Sequence, residues 1–231
     1  MSEYLSLKEA EQLGEEMAPF PRPGVVTVVL GMVREPDETL KQAFAHPVMD
    51  YAHTLAAVGG IYWTLNFLVA QASGGATTLG GTLAFGLLGG AALGIGYLYA
   101  LTVLLTWSVD ILGGEPHRRQ IRMALAYAGV PGCLALVLFT LPRIALFGPA
   151  LLQPGWGWVA ENPLAAGVLV AGDAAFLLWS VMLLLRALRL MNDFHLGRAL
   201  AALVVPLLPL VLIGMLFWVL MAVGGFFQAE H

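Results

Sequence analysis

Residues 80–109 read GGTLAFGLLGGAALGIGYLYALTVLLTWSV. The stretch holds no Asp, Glu, Lys or Arg, and none occurs anywhere between Asp50 and Asp110. A helix crosses a bilayer with about 20 mostly apolar residues. At ~1.5 Å per residue, a helix over 80–112 reaches roughly 50 Å, too short for two spans and a turn. It therefore predicts one long, tilted span whose Gly-rich first part is open to irregularity.

Outward from this stretch, four more segments meet the same length requirement, about 51–72, 122–146, 163–186 and 199–226. Composition agrees: 59% of the 231 residues are hydrophobic and 11% charged, against about 25% charged in soluble domains. Mean hydropathy is +0.81. The predicted fold class is an all-α polytopic integral membrane protein with five transmembrane helices. Cys133, the one cysteine, excludes an intrachain disulfide and reads as a small packed apolar residue.

The basic residues orient these spans. Lys8, Arg22, Arg34 and Lys41 precede the first span; Arg118, Arg119 and Arg122 lie around the second connection; Arg186, Arg189 and Arg198 around the fourth. Of the 11 Lys and Arg residues, only Arg143 falls elsewhere. The positive-inside rule then places the N-terminus and both basic connections in the cytoplasm and the C-terminus outside. Trp156 and Trp158 suit the outer aromatic belt, and Arg143 is expected to snorkel to that interface. The six Arg of the two connections are expected to be topogenic or to attract anionic lipid headgroups.

Residues 1–35 read as a cytoplasmic arm ahead of a membrane domain over 36–231. Its start is acidic and unlike a secretory signal, so it is expected to be retained. Ser6 and Glu9 have capping-box spacing, and Pro19, Pro21 and Pro23 then break regular structure. The β-branched run 24–33 is too short to span and reads as a strand or a segment lying on the inner leaflet. Pro36 followed by Asp37 and Glu38 starts a short interfacial helix over 36–46.

Three stretches together resemble the YIP (Ypt/Rab-interacting protein) family in its prokaryotic form. They are Pro36 to Phe44; Leu112 to Pro131, where a Gly-Gly turn and basic loop lead into a Pro-broken helix; and Leu178-Trp179-Ser180, with Gly197-Arg198-Ala199-Leu200 opening the last span. The resemblance implies a small non-enzymatic membrane protein. Eukaryotic members associate with Rab-type GTPases, but this chain lacks the Asp-Leu-Tyr-Gly-Pro motif of several of them, which argues against a GTPase partner. Its Ala/Gly/Leu-rich, Lys-poor composition reads as bacterial, and hence as a protein of the cytoplasmic membrane.

Several residues are candidates for chemistry. Asp173 lies about ten residues into the fourth span, roughly 15 Å deep, where a carboxylate must be protonated, paired or wet. It is either an ion or proton site or a hydrogen-bonded interhelical Asp, capped by a Ser, Thr or Tyr. Gly86, Gly90 and Gly94 form a small-residue stripe for close helix packing, within the monomer or between copies. His46, Asp50 and His53 share a helix side at metal-ligand spacing, with Asp110, His117, Asp193 and His195 at the same face; the alternative is unrelated interfacial polar residues. Pro131, Pro206 and Pro209 are expected to kink their helices.

No nucleophile elbow, zinc-protease, P-loop or dinucleotide motif occurs, so no enzyme activity and no cofactor are expected. Membrane lipids, other membrane proteins or a second copy are the expected partners, and nucleic acid is not. The leading reading is a membrane scaffold or adaptor acting through its cytoplasmic face. The alternatives are a small oligomeric transporter, channel or lipid-translocating protein using Asp173, and an accessory subunit of a larger membrane complex.

Overall fold

The computed structural model describes residues 24–46, 50–71, 78–115, 117–152, 159, 162–206 and 208. These residues are helical, with no strand among them. In chain order the elements are α1 (Val25–Arg34), α2 (Pro36–Ala45), α3 (Ala52–Gln71), α4 (Leu79–Ile111), α5 (Arg118–Ala128), α6 (Val130–Ala135), a π-helical turn (Leu136–Thr140), α7 (Leu141–Phe147), a 3₁₀ turn (Gly148–Leu152), α8 (Pro163–Asn192) and α9 (Leu196–Val204).

Three helical runs are long and apolar enough to cross a membrane: Leu79–Ile111, Arg118–Leu152 and Pro163–Asn192. Their large apolar side chains point outward, among them Phe85, Leu88, Leu93 and Val103 on α4 and Leu164, Val168 and Leu178 on α8. Contiguous apolar surface on that scale is unfavourable in water and natural in lipid. The 20-residue helix α3 covers the first expected span. Of the expected fifth span, α9 and its following turn supply the start, and the rest of 199–226 lies outside the described residues.

The Gly-rich beginning of α4 is regular helix, opened by Thr78, whose hydroxyl accepts from the Gly81 amide at 3.1 Å. Its far end stops at Gly113, whose φ of 74° is open to glycine at little cost. The Gly113 amide donates to the Asp110 carbonyl and the Gly114 amide to the Val109 carbonyl, both at 2.9 Å, which is the Schellman pattern.

The expected third span, 122–146, lies within a longer helical run, Arg118–Leu152, whose prolines explain its breaks. Pro131 and Pro142 each stand in the first turn of a restarted helix, α6 and α7. Proline has no N–H and its ring crowds the carbonyl four residues back. The π turn Leu136–Thr140 widens the helix just ahead of Pro142.

The segment 24–33 is a helix, α1, in place of the strand that was one of its two expected forms. Its valines are poor helix formers alone. Val28 and Met32, four residues apart, are buried on one face and join Leu40, Leu55, Met123, Tyr127 and Leu183 in the largest core cluster. Tertiary burial thus overrides local preference. A second cluster around Val109, Ile121, Leu188 and Phe194 ties α4, α5, α8 and α9 together, aided by the Ser108 hydroxyl donating to the Ala202 carbonyl at 2.8 Å.

Candidate functional site

The polar side chains gather in two centres. The first lies inside the helical bundle. Arg143 of α7 is buried, 7% exposed at its side chain, and its Nη2 donates to Asp173 Oδ2 of α8 at 2.5 Å. The Tyr62 hydroxyl of α3 donates to Asp173 Oδ1 at 3.0 Å. Arg143 Nη1 donates to Asn66 Oδ1 at 2.8 Å, and Asn66 Nδ2 in turn donates to the Tyr62 carbonyl at 3.0 Å and to the Thr140 hydroxyl at 3.3 Å. Both Asp173 oxygens are thereby engaged, one by a cation and one by a neutral donor. A lone charge here would be costly, and the pairing of guanidinium with carboxylate, with Arg143 Nη1 and Nη2 both bonded, is what low-polarity surroundings tolerate.

This centre corrects one expectation and refines another. Arg143 does not snorkel outward: its side chain is buried and turned to the Asp173 carboxylate, which offsets the cost of its charge. Asp173 has the expected Tyr cap, and it also has a guanidinium partner. Tyr62 and Asn66 are absent from the residues singled out in the sequence, and Arg143 is there assigned to the outer interface. A usable signal was present, one Arg and one Asp in separate apolar spans at matching depth.

The second centre lies at the end where α1 and α2 dock. Asp50, just before α3, faces Arg122 Nη2 at 3.0 Å and Arg119 Nε at 3.9 Å, both on α5. Arg122 also lies over the Tyr99 ring, 5.9 Å from its centroid, and the Tyr99 hydroxyl is 2.7 Å from His53 Nε2. Of the proposed metal set, then, Asp50 is committed to arginine and His53 to tyrosine. Among the described residues no group of three His, Cys, Asp or Glu is placed to hold a metal ion. Asp37 of α2 faces Arg186 of α8 at 4.0 Å, and Glu38 pairs with Lys41 at 2.8 Å, holding its ammonium pKa above the ordinary lysine value. Arg118 is exposed, and Arg198 lies over Phe194, 5.9 Å from its ring centroid. Arg186 and Arg189 belong to α8 itself, which runs on to Asn192 beyond its expected end at 186.

The glycine stripe faces α3. A Cβ on Gly90 would meet the Ile61 Cα at 2.8 Å and the Gly60 carbonyl at 3.0 Å, and one on Gly94 the Gly60 Cα at 2.8 Å. A Cβ on Gly86 would run into the Leu65 side chain. Rising numbers on α3 meet falling numbers on α4, so the two helices pack antiparallel at backbone distance.

The family model described as Yip1 domain matches residues 30–221, most of the chain. The protein belongs to the Yip1-domain family. No curated protein and no solved structure matches it. Membership in the Yip1-domain family agrees with the apolar helices in identifying an integral membrane protein. The matched region begins inside α1 and takes in both charged centres.

Proposed function

We propose that this Yip1-domain protein is a non-enzymatic membrane scaffold or adaptor that engages other membrane proteins through its charged end. In this reading it has five spans, sits in a bacterial cytoplasmic membrane, and turns the α1–α2 end to the cytoplasm with its C-terminus outside. The observation that carries it is the contrast in commitment between the two centres. Asp173, the intramembrane candidate for ion or substrate chemistry, has both oxygens spent on Arg143 and Tyr62. The exposed charge lies instead at the other centre, where Lys41, Arg118, Arg186 and Arg198 reach outward. A transporter would want the intramembrane carboxylate free to load and unload; a scaffold wants it locked.

Site-specific photo-crosslinking tests this. A cross-linker at Arg118, at the charged end, is expected to give discrete protein adducts in cells, and one at Leu164, at the opposite end of the bundle, is not. Adducts from Leu164 alone, or none from either position, would sink the adaptor reading. Substrate flux in proteoliposomes that is abolished by Asp173→Asn in a folded protein would favour transport instead.

A further inference from the structure

Two adjoining hollows lie where α1 and α2 dock on the end of α8. One, of about 280 Å³, is bounded by Met32, Val33 and Arg34 on the α1 side and by Trp179, Met182 and Leu183 on α8. The other, of about 620 Å³, is bounded by Asp37 and Lys41 of α2 and by Arg189 and Asp193 near the end of α8. Arg186 lines both and so stands at their junction.

On α8 the contributing positions run 179, 182, 183, 186, 189 and 190, with Asp193 capping the helix just beyond. Those steps of three and four keep to one helix face and cover roughly 20 Å. Along that face the chemistry runs from apolar at Trp179, Met182 and Leu183 to basic at Arg186 and Arg189, and then to Leu190 and the Asp193 carboxylate. The two hollows together carry four cations, Arg34, Lys41, Arg186 and Arg189, against the carboxylates of Asp37 and Asp193. Lys41 is spent on Glu38, and Arg186 meets Asp37 only at 4.0 Å. Among the described residues Arg34 and Arg189 form no ion pair.

We infer that this cleft is a binding site for one anionic phospholipid, its phosphate between Arg34 and Arg186 and an acyl chain along Trp179 and Met182. The charge excess selects a phosphate whose headgroup brings no compensating cation. The guanidinium fork suits phosphate oxygens, and the apolar half, with Met182 and Val33 about half exposed, gives the chain a path toward the lipid-facing surface. The inference rests on the membrane reading and on no protein partner, so failure of the cross-linking experiment leaves it intact.

The test uses the purified full-length protein in nonionic micelles and counts retained lipids by native mass spectrometry. Phosphatidylglycerol and phosphatidylcholine with identical chains are titrated separately, and glycerol 3-phosphate supplies the headgroup without chains. Phosphatidylglycerol is expected to be retained at least tenfold better than phosphatidylcholine, and glycerol 3-phosphate not to displace it. Arg34→Gln and Arg186→Gln are each expected to weaken it about fivefold, and together on the order of 25-fold. Trp179→Ala is expected to weaken it, and Arg118→Gln, outside the cleft, to leave it unchanged. Equal retention of the two lipids, indifference to Arg34→Gln, an equal loss with Arg118→Gln, or displacement by glycerol 3-phosphate overturns the assignment; the last result would make it a site for free phosphate esters. Should Arg186→Gln fail to fold, Arg34→Gln and Arg189→Gln carry the same test.

Discussion

The two ionic centres use the same chemistry, a carboxylate against guanidinium, to different ends. Asp173–Arg143 is hydrogen-bonded to Tyr62 and Asn66, with Thr140 behind Asn66, and joins α3, α7 and α8. Asp50–Arg122 and Asp50–Arg119 sit where helices begin, with side chains about a quarter to a third exposed. Asp173 and Asp50 are alike in exposure, at 22% and 23%, but Arg143 is 7% exposed against 24% for Arg122 and 37% for Arg119, and it is this guanidinium's burial that makes the first pair the more expensive to break. The inner centre is built to hold and the outer one to respond.

The largest test of that contrast is Asp173→Leu, which strands the Arg143 guanidinium in the bundle. A loss of about 3–5 kcal/mol is expected, read by unfolding in mixed micelles. The double variant Arg143→Met with Asp173→Leu is expected to recover most of it, because the penalty belongs to the unpaired charge. A single variant as stable as the parent would mean that the centre is open to water. Next comes Gly90→Val. Its side chain would press on the Ile61 and Gly60 backbone, which cannot swing aside, and about 1–3 kcal/mol of overpacking strain is expected in the same assay. Gly86→Ala should be milder, since Leu65 meets it with the end of a flexible side chain.

Smaller again is Asp50→Asn at the outer centre, with about 1 kcal/mol lost and a dependence on salt that the inner pair lacks. If Asp50→Asn cost as much as Asp173→Leu, the division into a holding and a responding centre would fail. Glu38→Gln closes the series. It removes the exposed partner of Lys41, so no measurable change in thermal stability is expected. Its trace should instead be a fall in the Lys41 pKa toward the ordinary value, followed by NMR, because the glutamate is what raises it.

Local signals carried much of the fold. The uncharged run before Asp110 announced α4, and the Gly-Gly turn after it marked where the helix stops, since few residues other than glycine take the φ of 74° found at Gly113 readily. Pro36 marked the start of α2 for the same kind of local reason. What failed was whatever depended on a distant neighbour. The valines of 25–34 favour strand by propensity, and only Leu40, Tyr127 and Leu183 across the core make them a helix. His46, Asp50 and His53 had metal spacing along one segment, but Arg122 lies 72 positions beyond Asp50 in the chain and claims it. Arg143 looked like an interfacial residue because its partner lies 30 positions away in another span.

By itself, then, the sequence determined that this is a helical membrane protein, where its long helices run and turn, and which family it resembles. Those properties follow from apolar length, glycine conformation and proline geometry, all of which act within a few residues. Only the tertiary structure decided which charge meets which: Asp173 with Arg143, Asp50 with Arg122, Arg186 between two hollows. In a low-polarity interior the energy of a charged group is set by what stands a few ångströms away, and that is a property of packing.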